Sequence, residues 1–469
     1  MGDSNSPPFP MAGSKLGAHV IVMNKDTSNF MTAGPSVVKF AGDWGSATMC
    51  PAETWVIGRK VVGGDDAQQI RARGFTPAKA TQEYIYGKEY QIETYNANPS
   101  IQYWEGHNEP VWGDLDGIKW YADMEIARME EMARLGLKCV IGNFATGTPP
   151  MEIWPGFMDA LHAAKQYGAI LGLHEYGCPW LWWMTGRYQM EDENCVDPRD
   201  PKRPEGWTTL RYRQVYRQYL EPAGLGDLPL VITEFGIDPM VNPKPDDAPD
   251  AAWKDLGGYW NKHKDDAKFD YKRQKYPVPE GVDFSGSKES KYFEQLKWYD
   301  RQMRQDPYVI GATIFTFGSF GGAWERFDVT GTDVAALLVE YVQRQKTVPS
   351  PAAPPIPGPT PPAPAPGAPP VQPPAHLPTS SQAGHLAGGQ AIMVVQPDVT
   401  EHAGLKVRMS RSIDAQFLEA LPAGAQVIVL EGPVSDGGQM WLRIRAASGT
   451  EGWVRPSGEN NEVYLAPLG

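Results

Sequence analysis

Two short segments carry the residue types best suited to chemistry. Tyr103-Trp104-Glu105-Gly106-His107-Asn108-Glu109-Pro110 follows one apolar run, and Val231-Ile232-Thr233-Glu234-Phe235-Gly236 closes another. In each, an apolar stretch runs directly into a glutamate. Two carboxyl groups that face each other can divide acid and nucleophile duty. One protonates a leaving oxygen while the other attacks carbon. At about 5–5.5 Å apart they leave no room for a water between them, and the attack is covalent. The acid then needs its pKa raised, by burial and by the neighbouring carboxylate.

Such segments need a scaffold that brings their ends together. Short apolar runs predict strands at Leu16–Val22, Ser36–Ala41, Thr54–Val61, Ile101–Trp104, Lys138–Asn143, Ala169–His174, Pro229–Thr233 and Val309–Phe317. Helical patterns lie between several of them, most clearly at Gly117–Leu135, Phe157–Tyr167, Thr208–Leu220 and Glu289–Gln305. Eight strands with intervening helices predict an α/β fold, a closed parallel (β/α)8 TIM barrel over residues 15–347. The alternative, an open doubly wound sheet, lacks its glycine-rich dinucleotide fingerprint here. Long segments follow the sixth strand (Gly177–Gly206) and the seventh (Gly236–Lys288). They lie at the barrel end where active sites are built. Glu109 and Glu234 then belong to the tips of strands four and seven, which are not neighbours and can face each other across the mouth.

Asn108-Glu109-Pro110 and Thr233-Glu234-Phe235-Gly236 resemble the motifs of the clan A glycoside hydrolases, and His174-Glu175-Tyr176 on strand six resembles that clan's His-x-Tyr segment. The resemblance covers about Leu16 to Arg344, with the motifs in strand order. It implies retaining hydrolysis of a glycosidic bond through a glycosyl-enzyme intermediate, with Glu109 as acid/base and Glu234 as nucleophile. It also implies that Asn108 bonds a sugar 2-hydroxyl, that Tyr176 contacts the nucleophile, and that His174 belongs to the site. Arg59 is the candidate for the arginine that many members carry near the second or third strand. The eighth strand, Thr313-Ile314-Phe315-Thr316-Phe317-Gly318, lacks the tryptophan often found there, and the nearest is Trp324. Endo action on a β-linked polysaccharide is the expected activity. The alternatives are an exo-acting glycosidase walled off by the two long loops, and a non-catalytic glycan- or envelope-binding barrel. Glu105 is an alternative acid without the asparagine neighbour. Glu175 is expected to bond a neighbouring loop, and His107 to be a structural hydrogen-bonder.

Fourteen of the sixteen tryptophans precede the proline-rich segment described below. Trp44, Trp112, Trp180, Trp182 and Trp324 fall at strand ends or in loops, where aromatic faces could stack on sugar. The run Trp180-Leu181-Trp182-Trp183 is hard to bury within a loop, so it is expected to reach a substrate cleft. Cys178 and Cys195 bracket the loop after strand six. In an oxidising compartment a bridge between them would stabilise the fold by about 3 kcal/mol. No HExxH, paired CxxC or EF-hand pattern is present, so neither metal nor cofactor is implied.

The chain of 469 residues carries a net charge of −13, against the basic face of a nucleic-acid binder, and has no apolar run long enough to span a membrane. Its 44 prolines are concentrated: fifteen lie between Pro349 and Pro378, a stretch without charge. Residues 348–389 therefore read as a semi-rigid proline-rich linker. Beyond it, residues 390–469 show short β runs such as Val427–Leu430 and Trp441–Arg445, punctuated by turn residues. Leu405–Arg408, Leu421–Gly424, Trp441–Ile444 and Gly452–Val454 resemble a bacterial SH3-like domain, a small all-β barrel. That resemblance implies a cell-envelope ligand beside the polysaccharide substrate. It also implies an extracellular or cell-surface location. Residues 1–14 show neither a basic nor an apolar leader region, so that location implies a leader removed upstream; the alternative is an intracellular protein.

Overall fold

The computed structural model describes residues 13–61, 67–87, 91–186, 196–242, 244–245, 247–263, 270–271, 274–275 and 278–346, and towards the C-terminus 391–395, 405–411, 415, 417–421, 424–436, 439–446, 450–456 and 465–467. The chain divides into two compact units, Met1–Pro361 and Pro362–Gly469. The expected linker, 348–389, lies outside the described residues, as do Cys195 and the expected bridge from it to the buried Cys178.

Unit one is built on eight parallel strands: β1 (Leu16–Val20), β2 (Val37–Phe40), β3 (Trp55–Gly58), β4 (Tyr103–Glu105), β5 (Lys138–Phe144), β6 (Ile170–Gly177), β7 (Leu230–Ile237) and β8 (Val309–Phe317). They pair in sequence order, and β8 closes on β1. All eight expected strands are present. Helices cover the outside, so most strand residues are buried on both faces, which is why the strands read as continuous apolar runs. Among the described residues no helix is long and apolar enough to cross a membrane.

Val37, Ile57, Tyr103, Val140, Ile170, Val231 and Ile310, one from each of seven strands, cluster with Trp55 inside the barrel. Side chains alternate along a strand. Counting by twos from this layer puts Lys39, Glu105, His174 and Tyr176 in the next inward-facing positions. The same count from Val231 reaches Thr233, leaving Glu234 outward. A register shift corrects this. Leu173 pairs with Ile232, but His174 pairs with Glu234, and β7 slips similarly against β8. This bulge turns the Glu234 side chain into the barrel.

The tip of β4 is held from outside by the helix Leu115–Arg134, which starts where Asp114 accepts from the Gly117 N–H at 2.7 Å. Its fully buried Arg128 donates to the carbonyls of Trp104 at 3.2 Å and Val140 at 2.7 Å, and pairs with Glu125. One guanidinium thus ties β4 to β5. Beyond Glu105 the chain turns, and the Glu109 N–H donates to the Asn143 carbonyl at 3.0 Å.

The expectation for the tryptophan run is overturned. Trp180, Trp182 and Trp183 are each at most 5% exposed. The second insertion covers the first. Trp180 packs on Tyr259 from the helix Gly257–His263, and Trp182 on Phe284 and on Trp298 from the helix Lys288–Met303. Trp260 Nε1 donates to the Pro179 carbonyl, and Leu181 N–H to Gln295 Oε1. A loop by itself could not bury these rings; two insertions packed together do.

Unit two holds seven antiparallel strands in the order Phe417–Leu421, Leu405–Arg408, Glu451–Val454, Gln439–Ala446, Gln426–Asp436, Ala391–Val395, Leu465–Pro467. Its core includes Val407, Val427, Val429, Leu442, Ile444 and Val454.

Candidate active site

At the C-terminal mouth of the barrel, β1, β2 and β6 and the segments after β3 and β4 bring charged and polar groups onto and around Glu234. Oε1 of Glu234 faces Lys39 Nζ at 3.0 Å, His19 Nδ1 at 3.6 Å and Arg59 Nη1 at 3.8 Å. Oε2 accepts from the Tyr176 hydroxyl at 2.9 Å and lies 3.6 Å from His174 Nδ1. Burial pushes the Glu234 carboxyl up. His174, Lys39, His19 and Arg59 outweigh that and hold it well below the usual carboxylate range. His19 is itself held well below its ordinary value by burial and by Lys39.

Glu109 sits in a different environment. Its side chain is 38% exposed, against 9% for Glu234. Its backbone is left-handed at φ 46°. Its Oε1 shares a hydrogen bond with His174 Nδ1 at 2.8 Å. Glu109, His174 and Glu234 each offer an atom within 4.8 Å of the other two. These are the described residues that could together approach a cation, but Lys39 and Arg59 already face Glu234 Oε1, and their charge opposes one there. Asp238, just beyond β7, is a third carboxyl near the pair. Burial, with Glu109 and Glu234, raises it, and Met240 N–H donates to it at 2.8 Å.

The structure thus brings together Glu109, Glu234, His174, Tyr176 and Arg59. Asn108 precedes Glu109, and its buried Oδ1 has no hydrogen-bond partner among the described residues. Trp44 is half-buried and donates from Nε1 to the Arg59 carbonyl at 3.1 Å, so it steadies the arginine. Trp324 is half exposed and meets Phe315 edge-on at 5.2 Å; Phe315 in turn borders His19 and Tyr176. Trp112 is 3% exposed and packs on Trp120 and Tyr121, so it is a core residue behind the β4 tip, as Trp180 and Trp182 are within the insertions. Glu175 points away from the mouth, accepting from Leu210 N–H at 2.6 Å and Tyr212 N–H at 2.9 Å. His107 packs against Tyr84 with the rings tilted by 52°, 4.5 Å between centroids.

Three residues escaped sequence reasoning as site residues. His19 and Lys39 lie within short buried strands, and Phe315 lies in β8. The available signal was a cation inside an apolar run, Val37-Val38-Lys39-Phe40. Glu105, weighed as an acid, is instead ion-paired to Lys39 at 2.9 Å.

The fold and site together define a (β/α)8 barrel with a carboxylate pair at its mouth. No family model and no curated protein matches the sequence. Among solved structures the chain is similar to an endoglucanase at 12% identity, covering 71% of this chain and 98% of that one, with a TM-score of 0.35. An endo-β-1,3-glucanase from Pseudomonas viridiflava aligns at 14% identity over 69% and 96%, with a TM-score of 0.35. An endo-β-1,4-glucanase from Xanthomonas axonopodis pv. citri aligns at 10% identity over 71% and 99%, with a TM-score of 0.36.

Proposed function

We propose that this protein is a retaining glycoside hydrolase, endo-acting on a β-linked polysaccharide. The observation that carries this reading is the approach of Glu109 and Glu234, whose carboxylate oxygens come within 4.8 Å. That spacing suits direct attack; the roughly 6.5–9.5 Å of an inverting pair would admit a water. Glu109 gives its proton to the glycosidic oxygen as Glu234 attacks the anomeric carbon and the C–O bond breaks. Glu109, now a carboxylate, takes a proton from water, whose oxygen attacks the same carbon and releases Glu234. Two features favour this division. Glu234 is held ionised by cations and a tyrosine hydroxyl. Glu109 opens to solvent, where a leaving group would lie. On the same reading the enzyme works outside the cell, with the C-terminal β unit as an SH3-like envelope-binding module.

The test is a panel of β-glucans, mannans, xylans and galactans, with product sizes and product anomer followed by NMR. Mixed oligomers of retained configuration are expected from the wild type. Glu234→Gln and Glu109→Gln should each lose about 10²–10⁴-fold. Glu109→Gln should lose less on substrates with good leaving groups, which need less acid assistance. Full activity in Glu234→Gln would overturn the assignment.

A further inference from the structure

We propose that Lys39, braced from behind by Glu105, is the positioning residue of this site, fixing the Glu234 carboxylate for attack. The inference rests on reading Glu234 as the nucleophile. Lys39 Nζ lies 2.9 Å from Glu105 Oε2 and 3.0 Å from Glu234 Oε1, and its side chain is fully buried. The three residues come from β2, β4 and β7, so the lysine side chain reaches across the barrel interior. A buried ammonium is costly unless it is paired and hydrogen-bonded. Here two carboxylates share it. Tyr176 holds the other oxygen of Glu234, so the carboxylate is gripped at both ends and its plane is set.

The groups facing Glu234 are His19 from β1, Lys39 from β2, Arg59 beyond β3, Glu105 and Glu109 from β4 and its loop, His174 and Tyr176 from β6, and Asp238 beyond β7; from β8 comes the uncharged Phe315. Lys39 Nζ stands nearest to Glu234 Oε1, at 3.0 Å against 3.8 Å for Arg59 Nη1. Glu105 draws on the same ammonium, so it weakens Lys39's hold on the Glu234 charge while it orients the lysine.

This gives two variants opposite signatures. Lys39→Met should lower kcat and move the acidic limb of kcat/KM upward by about 1–3 pH units. Glu105→Gln leaves Lys39 to Glu234 alone, so its limb should lie at or below the wild-type position even where kcat falls. A purely structural role would lower activity in both without splitting the limbs. The same comparison is made without substrate by ¹³C NMR titration of the Glu234 carboxyl, assigned through Glu234→Gln. If the wild type cleaves no glycan, the enzyme reading fails, and the titration still tests the clamp. An unmoved Glu234 titration in Lys39→Met, or an upward shift in Glu105→Gln, overturns the proposal. Should Lys39→Met not fold, Glu105→Gln and Lys39→Arg decide. The arginine variant keeps the charge and should hold the limb near wild type with a lower kcat; an upward shift there overturns it.

Discussion

Tyr176 donates its hydroxyl to Glu234 Oε2 at 2.9 Å, while burial and that same carboxylate push its own ionisation well above the ordinary phenol range. It therefore stays a donor at any workable pH. A hydrogen bond to a charged group is worth about 1.5–3 kcal/mol. Tyr176→Phe keeps the ring and loses the bond. It should reduce kcat/KM by roughly 10–150-fold, move the acidic limb up, and lower stability by about 1.5–3 kcal/mol. Unchanged kinetics would remove Tyr176 from the site.

Glu175, one residue away but facing outward, makes a prediction about stability. Burial raises its carboxyl from 4.5 to about 7, and the hydrogen bonds from Tyr299, Tyr212 N–H and Leu210 N–H only partly offset that. Between those values the folded protein holds a proton that the unfolded chain has released. Stability therefore falls as pH rises from about 4.5 to about 7, by about 3 kcal/mol, and is level above that. Glu175→Gln stays neutral throughout. Its stability relative to wild type should climb over this window, measured by urea unfolding at a series of pH values. Parallel curves would show that Glu175 does not titrate there.

The contrast between these neighbours shows what was legible in the sequence. Apolar runs marked all eight strands, because a barrel buries both faces of each. The glutamates stood out because a charge ending such a run has few structural uses. Side-chain direction was not legible. Alternation from Val231 would turn Glu234 outward, and a bulge set by pairing with β6 and β8 reverses it. Lys39 was hidden because its partners, Glu105 and Glu234, lie far away in sequence. The Trp180–Trp183 run misled because burial depends on a second insertion whose packing no local pattern announces. Trp112 misled for the same reason, since Trp120 and Tyr121 cover it from the following helix.

The brace beneath β4 predicts a backbone-dependent loss. A Cβ on Gly106 would meet Glu125 Oε1 at 2.9 Å and Arg128 Cζ and Nε at 3.0 Å. Arg128 cannot withdraw without releasing the Trp104 and Val140 carbonyls. Gly106→Ala should therefore cost about 1–3 kcal/mol of stability by overpacking. It should also lower kcat, because Glu109 lies three residues further along the same segment. Chemical denaturation beside kcat measurement checks both; wild-type stability would mean that the pair gives way freely.

Two tryptophans that sequence reasoning treated alike should now behave differently. Trp182 is 2% exposed and wedged between Phe284 and Trp298, so Trp182→Ala should cost about 3–5 kcal/mol of stability. Trp324 is 50% exposed, with one edge on Phe315 beside the site. Trp324→Ala should leave stability within about 0.5 kcal/mol of wild type, since little packing is lost. On oligosaccharides it should lose roughly tenfold in kcat/KM, equivalent to about 1.4 kcal/mol of ring contact. Thermal unfolding separates the first variant, and kcat/KM on a chain-length series the second. If Trp324→Ala lowers Tm as far as Trp182→Ala does while kinetics on folded protein are unchanged, Trp324 is a packing residue and the sugar stacks elsewhere.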